Sequence, residues 1–539
     1  MKYLSKIILC TLAAAVSVTG CNTDELKDLN VNPQALKTIN LNFLFSSVQL
    51  GAASAGSSGD NRYIDWRTNI GMFSYAIQHL ANAGGGIAPG DKYNEDNFEV
   101  AEAPFQFMYT DQLKNIAEIL YQTDEGGYDA GNKQNMRNAA RILRVFLFHR
   151  LTDYYGSVPY FDALQARQKN FFPHYDKQKD IYMDLFKELD EAIAGFGASD
   201  PTDGFTQADL FYGGDIAKWK KWGYSLMLRL ALRISNVDAA TANTYVTKAI
   251  AGGVFTSNAD NVVVGMDIAP SLWTNQNGIS RAFFPGDGGQ PTFISKTLID
   301  FLKGPNTGSV ADDDPRLMIF TAGIGIQKPN GNELLFDATN TDPLAQKGMP
   351  NGKNQTLLNA YEGKVVDQDK EYSKIHYKLL QRDEPYMLMN YGEVELMLAE
   401  AAQRNIGGAT GGLAHYAAGV KASMQMYTVY DASFVVSDAA VAAYLVTYPY
   451  GVTKPALEMI GEQLWANHYF NWWEAWSDYR RTGFPKLVPV NYPGNITNGQ
   501  IPSRLKYPTS ESATNPNYAE GSTTPNNYMT KVWWAGGPE

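Results

Sequence analysis

The sequence predicts a mainly α-helical protein, built from stacked helical hairpins with irregular, loop-rich insertions. Three observations predict it. Several segments repeat apolar residues at intervals of three and four. These segments fall into pairs separated by Gly/Pro turns, the arrangement in which each hairpin buries a face on its neighbour. Two long stretches between them lack helical period and are rich in Gly, Asn, Asp and scattered aromatics.

The helical segments follow in order. Arg137 to Tyr155 carries Ala140, Leu143, Leu147 and Leu151 on one face and stops at Gly156, with Pro159 beyond. Ile181 to Ala194 is amphipathic. Asp215 is placed to cap a helix running to about Ser235, with Trp219, Trp222, Leu226, Leu230 and Ile234 on one face. Tyr386 to Arg404 reads as one long helix ending before Gly407-Gly408, and Pro455 to Arg481 as another ending at Thr482-Gly483. No exact sequence period joins the pairs. The insertions span about 51–110 and 254–380. Loops of that length in a compact protein are usually functional. The stretch 484–539 is rich in Pro, Asn, Thr and Ser, yet holds Tyr507, Tyr518, Tyr528, Trp533 and Trp534. That content suits an irregular strap packed on the body better than a disordered tail.

The first residues read as an export leader. Lys2 and Lys6 precede an apolar run, Ile7 to Val16, shorter than the roughly 20 residues needed to span a bilayer. Val18-Thr19-Gly20-Cys21 then resembles the lipobox of bacterial lipoprotein leaders, which implies cleavage after residue 20 and acylation of Cys21. Two or three acyl chains anchor stably where one is marginal. Residues 21–36 are polar and begin acidic, as a tether would, leaving 37–539 as a single body. Acidic residues after the lipidated Cys also resemble the signal that sends lipoproteins to the outer face of the outer membrane. Cys10 leaves with the leader, so Cys21 is the only thiol of the mature chain and no intrachain disulfide can form.

The full chain of 539 residues has net charge −11, which becomes −13 once Lys2 and Lys6 are removed. That balance argues against a nucleic-acid partner, which needs a basic surface. No later apolar stretch reaches spanning length, so the body is expected to be soluble. Aromatics make up 12%, with 32 Tyr and 10 Trp. A flat apolar face with a polar edge suits sugar rings as well as a helical core.

Little points to catalysis or to a cofactor. The six His show no pair at metal-ligand spacing, so no metal is expected. Asp312-Asp313-Asp314 could supply oxygen ligands to Ca²⁺ or form an acidic turn. Glu393 and Glu400 share a helix face about 10 Å apart by helical rise, at or beyond the range for paired glycosidase carboxylates.

Four segments carry a family resemblance: Asp153-Tyr154-Tyr155-Gly156-Ser157-Val158-Pro159-Tyr160; Gly214 to Trp219 followed by Ser225 to Arg233; Glu474-Ala475-Trp476-Ser477-Asp478-Tyr479-Arg480-Arg481-Thr482-Gly483; and Ile501 to Pro508 with Glu511 and Asn515. Met389 to Ala402, with Glu393 and Glu400, adds a late helix. In this order, after a lipobox, the chain resembles the SusD/RagB family of nutrient-binding outer-membrane lipoproteins. One departure is Trp472-Trp473, where relatives often have Gly before the Glu-Ala-Trp segment. The resemblance implies a tetratricopeptide-like scaffold and a non-catalytic binding protein. Such a protein captures oligosaccharides at the cell surface and delivers them to a SusC-like TonB-dependent transporter. Peptide capture, as in the RagB branch, is the alternative; a surface glycoside hydrolase is a third reading. The four segments read as structural, with Arg229 and Arg233 pairing to Glu393 and Glu400 between hairpins. Ligand contacts are expected in the insertions: Trp66 and Trp273 as stacking platforms, Asn275 and Arg281 as hydroxyl partners, with Tyr63, Tyr75 and Phe283 beside them. The acidic, aromatic, Asn-rich insertions point toward complex host-type glycans.

Overall fold

The computed structural model describes residues 38–54, 63–84, 90–93, 98–198, 203–269, 275–286, 289–306, 308–518 and 526–538. The chain divides into residues 1–41 and 42–539. The expected leader, Cys21, the tether and Trp273 lie outside the described residues.

Eight helices of the body form four successive hairpins. They are α1 Gln134–Tyr155 with α2 Gln178–Gly195, α3 Ile216–Ile234 with α4 Ala239–Gly252, α5 Tyr391–Gln403 with α6 Gly412–Gln425, and α7 Ala456–Asn467 with α8 Trp472–Thr482. Helix α3 is the hub, packing on α1, α2 and α5, and α5 in turn packs on α7. Its start is set as the sequence predicts: the Asp215 carboxylate accepts from the Lys218 backbone N–H at 3.2 Å. Its predicted face is wholly buried, from Trp219 and Trp222 to Ile234. Each such side chain contributes about 1.5–3 kcal/mol of apolar burial. Helix α1 ends at Gly156, whose φ of 84° no side chain would favour.

Two expected helices are divided. Tyr386–Met389 is a strand, β5, antiparallel to β1 at Val262–Val264. Asn390 then caps α5, its side chain accepting from the Glu393 N–H at 2.8 Å. A four-residue apolar run buried on both sides has no period that tells strand from helix. The long helix expected over Pro455–Arg481 breaks between α7 and α8, where Phe470 takes φ 79°. Aromatic residues on both sides of the break, Tyr469, Phe470, Trp472 and Trp473, mask the polar Asn467, His468 and Asn471 that mark it. The second insertion also holds a three-stranded antiparallel sheet of β2 Thr321–Asn330, β3 Glu333–Asn340 and β4 Ser373–Ile375, in the order β3-β2-β4. The first insertion contains the wide π-helix Ile64–Ser74, and a second, Met108–Leu113, crosses its end.

Buried ion pairs tie the hairpins together. Arg229 of α3 holds Glu393 of α5 in a two-pronged pair at 2.7 and 2.8 Å. Arg233, expected to reach the late helix, instead pairs with Glu474 of α8 and with Asp153 at 3.2 Å. Glu400 is held by Arg404 at 2.7 Å and by Arg481. The departure at Trp472-Trp473 is absorbed in packing: the Trp473 ring lies under Arg150 at 4.2 Å and Arg229 at 5.6 Å. The stretch after Phe484 packs on the same region. Trp534 Nε1 donates to Asp153 at 2.7 Å, and the Tyr507 hydroxyl donates to the Ser157 carbonyl at 2.6 Å.

Candidate functional site

The two insertions meet at the wide helix Ile64–Ser74. Helices of this width are uncommon and concentrate at functional sites. Asp65 on its first turn is buried and accepts from Asn69 Nδ2 at 2.6 Å and from the Tyr386 hydroxyl at 3.2 Å. Burial raises its carboxyl above the usual range, against the pull of these donors. Asn69 also donates to the Phe470 carbonyl at 2.9 Å and accepts from the Trp473 N–H at 3.0 Å. The wide helix is thereby fixed to β5 and to the α7–α8 break.

The short helix Gly278–Phe283 closes the junction. Asn277 Oδ1 accepts from the N–H groups of Ile279 (2.9 Å) and Ser280 (3.1 Å), and its Nδ2 donates to the Glu384 carbonyl at 3.1 Å. Gly278 is required there, because a Cβ would lie 2.2 Å from the Ser54 carbonyl oxygen.

On the outer side of the wide helix stand one expected platform, Trp66, and Tyr63, expected beside it. Tyr63 and Trp66 are half-buried and stack with ring centroids 5.5 Å apart and planes 24° from parallel. Arg67 covers the Tyr63 ring at 4.2 Å, and Phe107 lies 6.0 Å from it. The half-exposed part of such a ring pair can meet the apolar face of a ligand. Arg67 and Phe107 were not singled out in the sequence. Arg67 follows Tyr63 by four residues, a spacing that would have found it had this loop-rich stretch been read as helical.

Asn275 is half-buried on the second insertion, its carbonyl accepting from the Asp267 N–H at 2.9 Å. Tyr75, Arg281 and Phe283 are core residues, at 0%, 2% and 1% exposure. Phe283 packs edge-on against Trp472. The insertions carry a core of their own, and these three side chains belong to it rather than to an open face. A separate cleft of about 1010 Å³ runs beside α1 and α2. Tyr121 and Phe161 are its exposed rings, and Arg167 covers Tyr121 at 4.7 Å.

The structure does gather one Glu–His–Glu group among the described residues: Glu393, His468 and Glu474, with ligand atoms within 4.8 Å of one another. The cations facing these carboxylates are Arg229 and Arg233. In the acidic triplet, Asp314 is committed to the buried Arg316 at 2.6 and 3.0 Å. Asp312 accepts from the Asn306 N–H at 3.0 Å. Among the described residues no helix is long and apolar enough to cross a membrane.

Four helical hairpins locked by arginine–carboxylate pairs, with aromatic-bearing insertions, define a class of helical scaffold decorated by loop-rich insertions. The SusD-like family model, described as starch-binding and associating with the outer membrane, matches residues 33–508, and the chain belongs to that family. Among solved structures it is similar to a chitin-binding protein at 32% identity, covering 92% of this chain and 100% of that one, with TM-score 0.74. It shares its fold with a SusD homolog from Parabacteroides distasonis (23% identity, 92% and 98% covered, TM-score 0.73). It likewise shares the fold of a chitin-binding SusD homolog from Flavobacterium johnsoniae (21%, 92% and 99%, 0.67). A search of curated proteins returns no match.

Proposed function

We propose that this protein is a non-catalytic lipoprotein of the outer membrane that captures oligosaccharides outside the cell. It passes them to a SusC-like TonB-dependent transporter. The observation that carries the reading is the half-exposed Tyr63–Trp66 stack under Arg67, on a wide helix, in a chain of a family described as starch-binding. Asn275 is a candidate hydroxyl partner, and Trp273 a candidate second platform. The 32%-identical relative named as chitin-binding favours N-acetylglucosamine oligomers over host-type glycans. Binding without turnover is supported by the state of the late-helix glutamates, since Glu393 and Glu400 are each saturated by arginine.

Calorimetric titration with chitin oligomers, starch oligomers and peptides tests the ligand class. Saturable binding of a glycan with no product after prolonged incubation is expected; binding of peptides alone moves the protein to the peptide branch, and any hydrolysis makes it an enzyme. The anchor has its own test. Cys21→Ala should release a folded protein from the outer-membrane fraction, and retention of that variant in cells lacking the transporter would refute lipidation as the anchor.

A further inference from the structure

We infer that one water molecule is a built-in part of the body, held between β5, the turn Met426–Val429 and the α7–α8 break. A hole of about 20 Å³ lies there, lined by Asn277, Tyr386, Tyr427, Tyr430, Asn467 and Tyr469 among others. One water needs about 10–15 Å³ on the same measure, so the hole holds one and no larger ligand.

Its polar groups are the second observation. The hydroxyls of Tyr427 and Tyr469 and both amide atoms of Asn467 are buried and reach no hydrogen-bond partner among the described residues. Buried polar groups are nearly always satisfied by protein or by ordered water. Four such atoms on three residues that line one hole call for a molecule that both donates and accepts. The lining carries no Asp, Glu, Lys, Arg or His, which favours a neutral guest over ammonium or a metal cation. Burial holds both tyrosine hydroxyls well above their ordinary range, so each remains a donor at neutral pH. Pro385 and Tyr430 are the half-exposed part of the rim and supply the way in. The water would join the end of α7 and Tyr469, two residues beyond it, to the turn after α6.

The test is a crystal structure of the full chain at a resolution that shows ordered solvent, with Tyr469→Phe and Asn467→Leu beside it. The expected result is a single peak within hydrogen-bond distance of at least two of the three side chains. Its occupancy should fall by half or more in Tyr469→Phe and vanish in Asn467→Leu. A wild-type map in which the three side chains pair with one another overturns the inference, as does a map with no peak. If a variant fails to fold, the wild-type map alone decides.

Discussion

Arg229 and Arg67 each place a guanidinium over an aromatic ring, in two regions that behave in opposite ways. Arg229 lies inside the scaffold, 5.6 Å from Trp473 and bound at both prongs by Glu393, with 2% and 1% side-chain exposure for the pair. Arg67 lies half-buried over Tyr63, on a helix that belongs to an insertion. In the scaffold, charge is compensated internally and serves position. In the insertion the two rings are half-exposed, where a ligand can meet them. The residues that identify the family are the first kind; the residues proposed to bind are the second.

The sharpest way to break the comparison is Glu393→Gln. It leaves Arg229 buried beside a neutral amide, and losing one partner of such a pair costs about 3–5 kcal/mol. Chemical denaturation should show that loss, while glycan affinity of the folded fraction stays the same. Arg229→Met with Glu393→Leu should recover most of it, because a hydrophobic replacement of both partners is often near neutral. Trp66→Ala should do the reverse. Loss of a stacking face should weaken glycan binding by about 1 kcal/mol or more, roughly a fivefold rise in Kd by calorimetry, with a smaller change in the denaturation midpoint. Equal affinity for both proteins would move the site elsewhere, with the cleft at Tyr121 and Phe161 next in line.

That division also explains what could be read before the structure. Helices α1 and α3 were legible because their apolar residues keep a helical period over five turns, and because Asp215 and Gly156 punctuate them. The scaffold's arginines and glutamates were legible as charges in apolar surroundings that need partners. Which carboxylate Arg233 takes was not, since Glu474 lies 241 positions away and becomes a neighbour only through packing. β5 was not legible because a short apolar run carries no period that tells strand from helix, and the α7–α8 break was not because aromatic residues flank it on both sides. Tyr63 and Trp66 are marked in the sequence only as aromatics lying in an insertion. The same placement marks Tyr75, Arg281 and Phe283, which the insertions use for their own core. Composition cannot separate a ring that faces solvent from one that fills a hole.

A smaller effect checks the helix start that both readings share. Asp215→Ala removes the acceptor for the Lys218 N–H and should cost about 1 kcal/mol in chemical denaturation, with no change in ligand affinity.

The last prediction separates the regions by pH. Glu384 sits where the second insertion meets the cap of Gly278–Phe283. Its carboxyl is pushed up to about 8 by burial and by the nearby Asp383 and Asp431. In the scaffold, arginines hold Glu400 below its ordinary value instead. The signs differ accordingly. A carboxyl that titrates higher in the folded protein than in the unfolded chain keeps its proton longer when folded, so its contribution is complete below about 4.5 and is lost as pH rises toward 8. Glu400 acts oppositely: its contribution is present at neutral pH and lost in acid. Glu384→Gln should therefore raise the denaturation midpoint at pH 8 more than at pH 5. Glu400→Gln should lower it most at neutral pH and least in acid. If the two variants share one pH profile, the junction at Glu384 does not differ electrostatically from the scaffold, and the half-exposed rings are left as the contrast between the two regions.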